Sequence, residues 1–209
     1  VAKKKIKEDV STEEKIKQAA RKLFTEKGFD AVKTRDIADE AGINQALLNY
    51  YFRSKQKLFD IIMTENFEQF IQQLIPIMSS QDLPLEDVLG EVVASYIDMF
   101  KRNPDLPIFV MNQMRSESTT HSDIRSRMKL VRDAFLKRIG DNLIDRKLTS
   151  SDTGHLMMNF MGMIIFPFFA QPVMIGINKF SQKEFDSMME ERKKLIPIWL
   201  KAMMLATAR

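Results

Sequence analysis

The sequence predicts an all-α protein of about nine helices, with an N-terminal three-helix head on a larger helical body. Apolar residues recur at helical spacing from end to end, no stretch alternates polar with β-branched residues as a strand would, and the breaks fall at Gly, Pro and hydroxyl clusters. A length of 209 residues with 44% hydrophobic and 29% charged residues suits one globular domain or a small head on a body.

Each element has its own signals. The first helix is expected from Ser11, where Glu14 completes a capping box, through the stripe Ile16, Ala19, Ala20, Leu23 and Phe24 to Gly28. A short second helix runs from a Thr34 cap through Ile37, Ala38 and Ala41 to Gly42. A third covers 44 to 52, and a fourth opens at Ser54 and continues to Leu74, with Pro76 and the polar residues 79 to 82 marking its end. Five further helical patterns are expected over roughly 84–102, 105–116, 120–146, 150–170 and 181–207. Asn103-Pro104, Thr119-Thr120, Leu148-Thr149-Ser150 and Gln171-Pro172 separate them, and Ser181 with Glu184 caps the last. The units that follow are a basic tail over 1–10, a head over 11–57 and a body over 58–209.

Composition narrows the classes of function. The chain has no cysteine, so disulfides and thiolate metal sites are excluded. No uninterrupted run of about 18 apolar residues occurs and the basic start resembles no secretory signal, which makes the cytoplasm the expected location and a membrane no expected partner. Residues 1–57 carry 14 Lys+Arg against 9 Asp+Glu, whereas the remainder carries 18 against 19. The basic excess therefore belongs to the N-terminal quarter and suits a polyanion. Lys3, Lys4, Lys5 and Lys7 supply most of it, so a merely solubilising tail explains the count as well.

Two short helices joined at a glycine, with a third packed behind them, form a helix-turn-helix, whose second helix is short enough to enter a major groove. Steps of 100° put Leu47, Leu48 and Tyr51 on one side of residues 43–53 and Gln45, Ala46, Asn49, Tyr50 and Arg53 on the other. Gln45 has the donor and acceptor for a bidentate contact to adenine, and Ala46 permits close approach or meets a thymine methyl. Tyr50 and Thr34 offer hydroxyls to phosphates, and Lys55 stands at the next helix start as a phosphate clamp.

The stretch TRDIADEAGINQALLNYYFRSKQKLF (34 to 59) resembles the DNA-binding segment of the TetR family of bacterial transcriptional regulators. The matching positions are Thr34, Ile37, Ala38, Ala41, Gly42, Leu48, Tyr51, Phe52, Ser54, Lys55 and Leu58, and the preceding helix fits as well. Asn44 stands where the family has a small hydroxyl residue, Ala46 where it often has glycine, and Asn49 where tyrosine is common. The resemblance implies DNA contacts at Thr34, Arg35, Asn44, Gln45, Ala46, Asn49, Tyr50, Tyr51 and Lys55, with Asn49 as the departure from pattern.

For the body the resemblance implies a small-molecule effector pocket, a homodimer formed by the last two helices, and a repressor acting on double-stranded DNA at a near-palindromic operator. The 15 Met and 15 Phe supply adaptable apolar linings, and equally ordinary core. Phe100, Phe109, Met111, Met114, Phe135, Met158 and Met161 are expected at the pocket. Phe160, Ile164, Phe168, Met188, Trp199 and Met203 are expected at the dimer interface, because residues 155–170 are apolar nearly all round. No cofactor is expected. An enzyme is disfavoured: His121 and His155 lack a partner at catalytic or metal spacing, and no phosphate loop or nucleophile elbow occurs. A helical interaction module without DNA specificity is the other alternative.

Overall fold

The structure, a computed structural model, describes residues 2–80, 82–115, 122–142 and 149–207, with the backbone alone for 2–11, 113–115, 122–125, 178 and 207. Among the described residues there are nine α-helices and no strand. The head consists of α1 (Ala2–Lys27), α2 (Thr34–Glu40) and α3 (Gln45–Phe52). The long α4 (Lys55–Ser79) leaves the head and enters the body, which contains α5 (Leu85–Arg102), α6 (Leu106–Arg115), α7 (Ser122–Asn142), α8 (Ser150–Asn178) and α9 (Gln182–Thr207).

The head is built around the stripe seen in the sequence. Ile16, Ala20, Leu23 and Phe24 of α1 are buried with Ile37 and Ala38 of α2, Leu48 and Phe52 of α3, and Leu58 and Ile62 of α4. Gly28 and Gly42 adopt φ of +75° and +67°, the left-handed region that side chains disfavour, and each closes a helix. The α1 helix begins at Ala2 rather than at the Ser11 capping box, since nothing over 2–11 is Pro or Gly and Lys, Glu and Ala propagate a helix readily. The head is tied to the body by Glu65 of α4, which accepts from Lys17 at 2.9 Å and from Arg21, while Glu14 accepts from the same two cations at 3.0 and 3.2 Å.

In the body, α5 packs on α9 and α4, α4 on α7, and α8 on α9. Two findings differ from expectation. Gln171-Pro172 does not break a helix: α8 runs on to Asn178, with Met174 still packed on the core, and ends where Lys179 turns left-handed at φ 56°. A mid-helix proline costs roughly 3 kcal/mol, which tertiary packing on both sides offsets. The Thr119-Thr120 separator and the end of the 120–146 pattern lie outside the described residues. Finally, Ser150–Ile177 is long and apolar enough to cross a membrane by length and composition, because its scattered polar residues interrupt a run without changing the average.

The two faces of α8 explain that composition. Leu156, Phe160, Ile164 and Phe168 are buried within the protomer, whereas Met158, Phe166, Phe169, Val173 and Ile177 are exposed on the other side. Leu195, Ile198, Trp199 and Leu205 are exposed on α9, which packs on α8. Phe160, Ile164 and Phe168, expected at a dimer interface, are instead internal: Phe160 stacks on Phe135 at 4.6 Å, and Phe168 meets Phe100 and Phe185 edge-on. Of the other three residues, Trp199 is partly exposed, with the Arg192 guanidinium 5.3 Å from its ring centre, and Met188 and Met203 are half-buried.

Candidate nucleic-acid interface and body cavity

The turn between α2 and α3 is closed by backbone bonds from Ala41 to Ile37, from Gly42 to Asp39 and from Ile43 to Ala38, at 2.9 to 3.2 Å. Asn44 then caps α3, its Oδ1 accepting the Leu47 N–H at 2.8 Å, so the amide does the work of the hydroxyl common at such a cap. Thr34 is the first residue of α2 and not its cap. Lys33 holds the cap position, where its N–H donates to the Asp36 carboxylate at 2.9 Å.

Packing orients α3. Leu48 and Phe52 are buried, Leu47 and Tyr51 are half-buried, and Gln45, Ala46, Asn49 and Tyr50 are exposed, Tyr50 at 79%. The adjacent tyrosines meet edge-on at 5.5 Å, one seated against the core and the other in solvent. Gln45 Nε2 donates to Thr34 Oγ1 at 3.0 Å, joining the first residues of both helices. One amide N–H and the carbonyl oxygen remain, still the pair needed to read an adenine edge.

Lys55 differs from the simple clamp expected of it. Its ammonium donates to the carbonyls of Phe29 and Val32, both at 2.8 Å, and lies 4.1 Å from the centre of the Phe29 ring. Two of three protons are thus used in fastening the α1–α2 turn to the start of α4. The exposed cations around α3 are Lys33, Arg35, Arg53 and Lys57, and Arg35 has only a loose i,i+4 contact of 3.9 Å to Asp39. Lys33 and Lys57 carried no motif signal in the sequence; the structure leaves both exposed, at the cap of α2 and in the first turn of α4. Arg53 closes α3 at φ 55°, a strained conformation for a residue other than glycine.

The body encloses a cavity of about 450 Å³ lined by α4 to α8. Phe100, Met111, Phe135 and Met161 line it as expected, and so does Phe160. Phe109 instead packs edge-on to Phe59 at 6.1 Å, beneath the head. Met158 is 63% exposed on the outer face of α8, one residue out of phase with the lining Met157. The Met114 side chain lies outside the described residues. Tyr96 was missed, although it sits one turn before Phe100 on the same stripe and lines the same cavity. His155 is exposed, and the nearby Asp152 completes a capping box: Thr149 caps α8 by accepting the Asp152 N–H at 3.2 Å, and the Asp152 carboxylate accepts from the Thr149 N–H and hydroxyl at 2.9 and 2.7 Å. His121 lies outside the described residues.

The cavity reaches the head through α6. Leu106, Pro107, Val110 and Met111 line it, and Asp105 immediately before them accepts the Phe29 N–H at 3.3 Å. Phe29 also packs on Phe59 at 4.6 Å, in the same turn that Lys55 holds.

Comparison with known proteins agrees with this arrangement. Residues 16–62 match the family model for bacterial regulatory proteins of the tetR family. A probable helix-turn-helix transcriptional regulator of Bacillus subtilis, YttP, is 24% identical over 92% of this chain and 94% of its own. The transcriptional repressor KstR2 of Mycolicibacterium smegmatis is 28% identical over 51% of this chain and 58% of its own. The transcriptional repressor NicS of Pseudomonas putida is 32% identical over 45% of this chain and 44% of its own. A TetR/AcrR-family regulator from Thermobifida fusca shares the fold with a TM-score of 0.64 at 18% identity, covering 88% of this chain and 96% of its own. With the helix-turn-helix head, the exposed polar face of α3 and these likenesses together, residues 16–62 are a DNA-binding head of the TetR family of bacterial transcriptional regulators, on a chain that is similar along its length to such a regulator and shares the fold.

Proposed function

We propose that the protein is a cytoplasmic, dimeric repressor that holds a near-palindromic operator and releases it when a small, largely apolar effector enters the body cavity. The division of labour follows the chain: residues 11–57 bind DNA, and residues 58–209 bind effector and dimerise. The observation that carries the reading is the α3 surface, where Gln45, Ala46, Asn49 and Tyr50 are exposed together while Leu48 and Phe52 anchor the opposite face. Gln45 and Asn49 read base edges, Ala46 allows close approach, and Tyr50, Thr34, Arg35, Arg53 and the backbone at Asn44 meet phosphates. Tyr51 seats the helix, and Lys55 positions the α1–α2 turn.

The dimer rests on the apolar surface of α8 and α9. The exposed apolar side chains Phe166, Val173 and Ile177 of α8 and Ile198 and Leu205 of α9, carried on two helices that pack together, are together expensive to leave in water. A second protomer covers it more economically than a bilayer, since charged Glu191, Lys194 and Lys201 lie exposed along α9. Two-fold pairing sets two α3 helices on half-sites one turn, about 34–36 Å, apart or a multiple of that. Filling the cavity displaces α6, and Asp105 passes the shift to the Phe29 turn and so to α2.

The test is selection of duplexes from a random pool by the full-length protein, followed by gel-shift titration against salt. The selected sequence is expected to be near-palindromic, and log affinity should fall with log salt at a slope steeper than about −6 for a dimer neutralising four to six phosphates per head. Absence of sequence-selective duplex binding at moderate salt would falsify the reading.

A further inference from the structure

The polar groups of the cavity are of one electrostatic kind. Most of its wall is Phe, Met, Ile and Val, and the polar side chains among them are Tyr96 of α5 with Lys129 and Arg132 of α7. No acidic side chain lines it among the described residues. Lys129 and Arg132 are three residues apart, hence on one helix face, and both are exposed, so their stems complete the wall while their charges stand at the solvent side. Arg132 is held by Asp133 at 2.7 and 3.0 Å, whereas Lys129 has no ion pair among the described residues. Tyr96 is 8% exposed and its hydroxyl has no partner among the described residues; burial pushes its pKa upward, so it remains a neutral hydrogen-bonding group.

We infer that the cavity takes an amphipathic anion, a carboxylate on an apolar tail, with the tail among the Phe and Met side chains and the carboxylate at the Lys129–Arg132 face. A wholly apolar guest would leave the Tyr96 hydroxyl without a partner, and a cationic guest would meet the like charge of Lys129, which no acid in the lining balances, beside an Arg132 already paired with Asp133. The aromatic wall alone would suit a lipophilic cation, but the charge on α7 opposes it. This inference rests on the cavity being the effector site and adds the sign of the effector's charge.

Three probes with one tail and different heads separate the cases: decanoate, decanol and decyltrimethylammonium, titrated calorimetrically into the full-length protein. Decanoate is expected to bind at least about threefold more tightly than decanol, which in turn exceeds the ammonium, the size expected of contacts to exposed cations. Each methylene added to the carboxylate tail strengthens binding about fourfold until the cavity is full. Lys129→Glu, an exposed change that leaves the core intact, should weaken decanoate and leave decanol unchanged. Equal affinity for decanoate and decanol, or preference for the ammonium, overturns the inference, as does a Lys129→Glu protein that keeps the wild-type order. Operator release is read separately by gel shift. Head-group preference without release would overturn the effector reading alone, whereas release by decanol and decanoate alike would overturn the ligand class alone.

Discussion

The head and the body each leave one helix face exposed, and the two faces have opposite chemistry. On α3 the outward residues are Gln45, Ala46, Asn49 and Tyr50, which water satisfies and a duplex satisfies better. On α8 and α9 they are Phe166, Val173, Ile177, Ile198 and Leu205, which water does not satisfy. Both faces lie back-to-back with fully buried stripes, Leu48 with Phe52 in the head and Phe160 with Ile164 in the body. The difference teaches that burial of one face fixes the orientation of the other, while composition of the free face selects the class of partner.

The largest test of this comparison is Leu48→Ala. Truncating this fully buried side chain should cost about 2–5 kcal/mol, enough to unfold a small head of ordinary stability. Operator binding should vanish while sedimentation still reports a dimer; loss of both together would mean that head and body fold as one cooperative unit. Next is Ile198→Asp, a change at a 62% exposed position that the protomer tolerates. A charge driven into the dimer seam should weaken self-association by about 2–3 kcal/mol, an effect of about 30-fold to 150-fold read by sedimentation equilibrium, with helix content by circular dichroism unchanged. An unaltered dimer would move the interface away from α8 and α9.

Gln45→Ala should remove about 1–3 kcal/mol of discrimination at particular operator bases and little elsewhere, measured by competition among operator variants. Uniform weakening across all sequences would reassign Gln45 to the backbone. The smallest and most diagnostic effect is at Lys55. A phosphate clamp lost in Lys55→Gln would lower the salt slope by about 0.9 per head, whereas a residue that secures the α1–α2 turn would lower the thermal midpoint and leave the slope intact. The bonds to Phe29 and Val32 predict the second outcome.

Much of the head was legible in the sequence because its signals are local. The 100° steps along residues 43–53 put Leu48 inside and Tyr50 outside, and the structure agrees. The cap at Asn44 and the turn at Gly42 were equally readable. The Gln45–Thr34 bond and the capture of Lys55 by two carbonyls were not, since both join residues on different elements. In the body, periodicity was uninformative where it mattered most. With apolar residues on every side of α8, nothing local separates Phe160, which lines the cavity, from Phe166, which faces solvent.

The sequence by itself determined most of the helices, the basic N-terminal quarter, the helix-turn-helix and which side of α3 faces outward, because each follows from short-range spacing, capping and charge. Only the tertiary structure decided which Met and Phe side chains enclose a cavity, that Lys129, Arg132 and Tyr96 line it together, and which side of α8 remains uncovered. The physical reason is that a polar stripe on an amphipathic helix marks its own outside, whereas an all-apolar helix is oriented only by the neighbours that bury part of it.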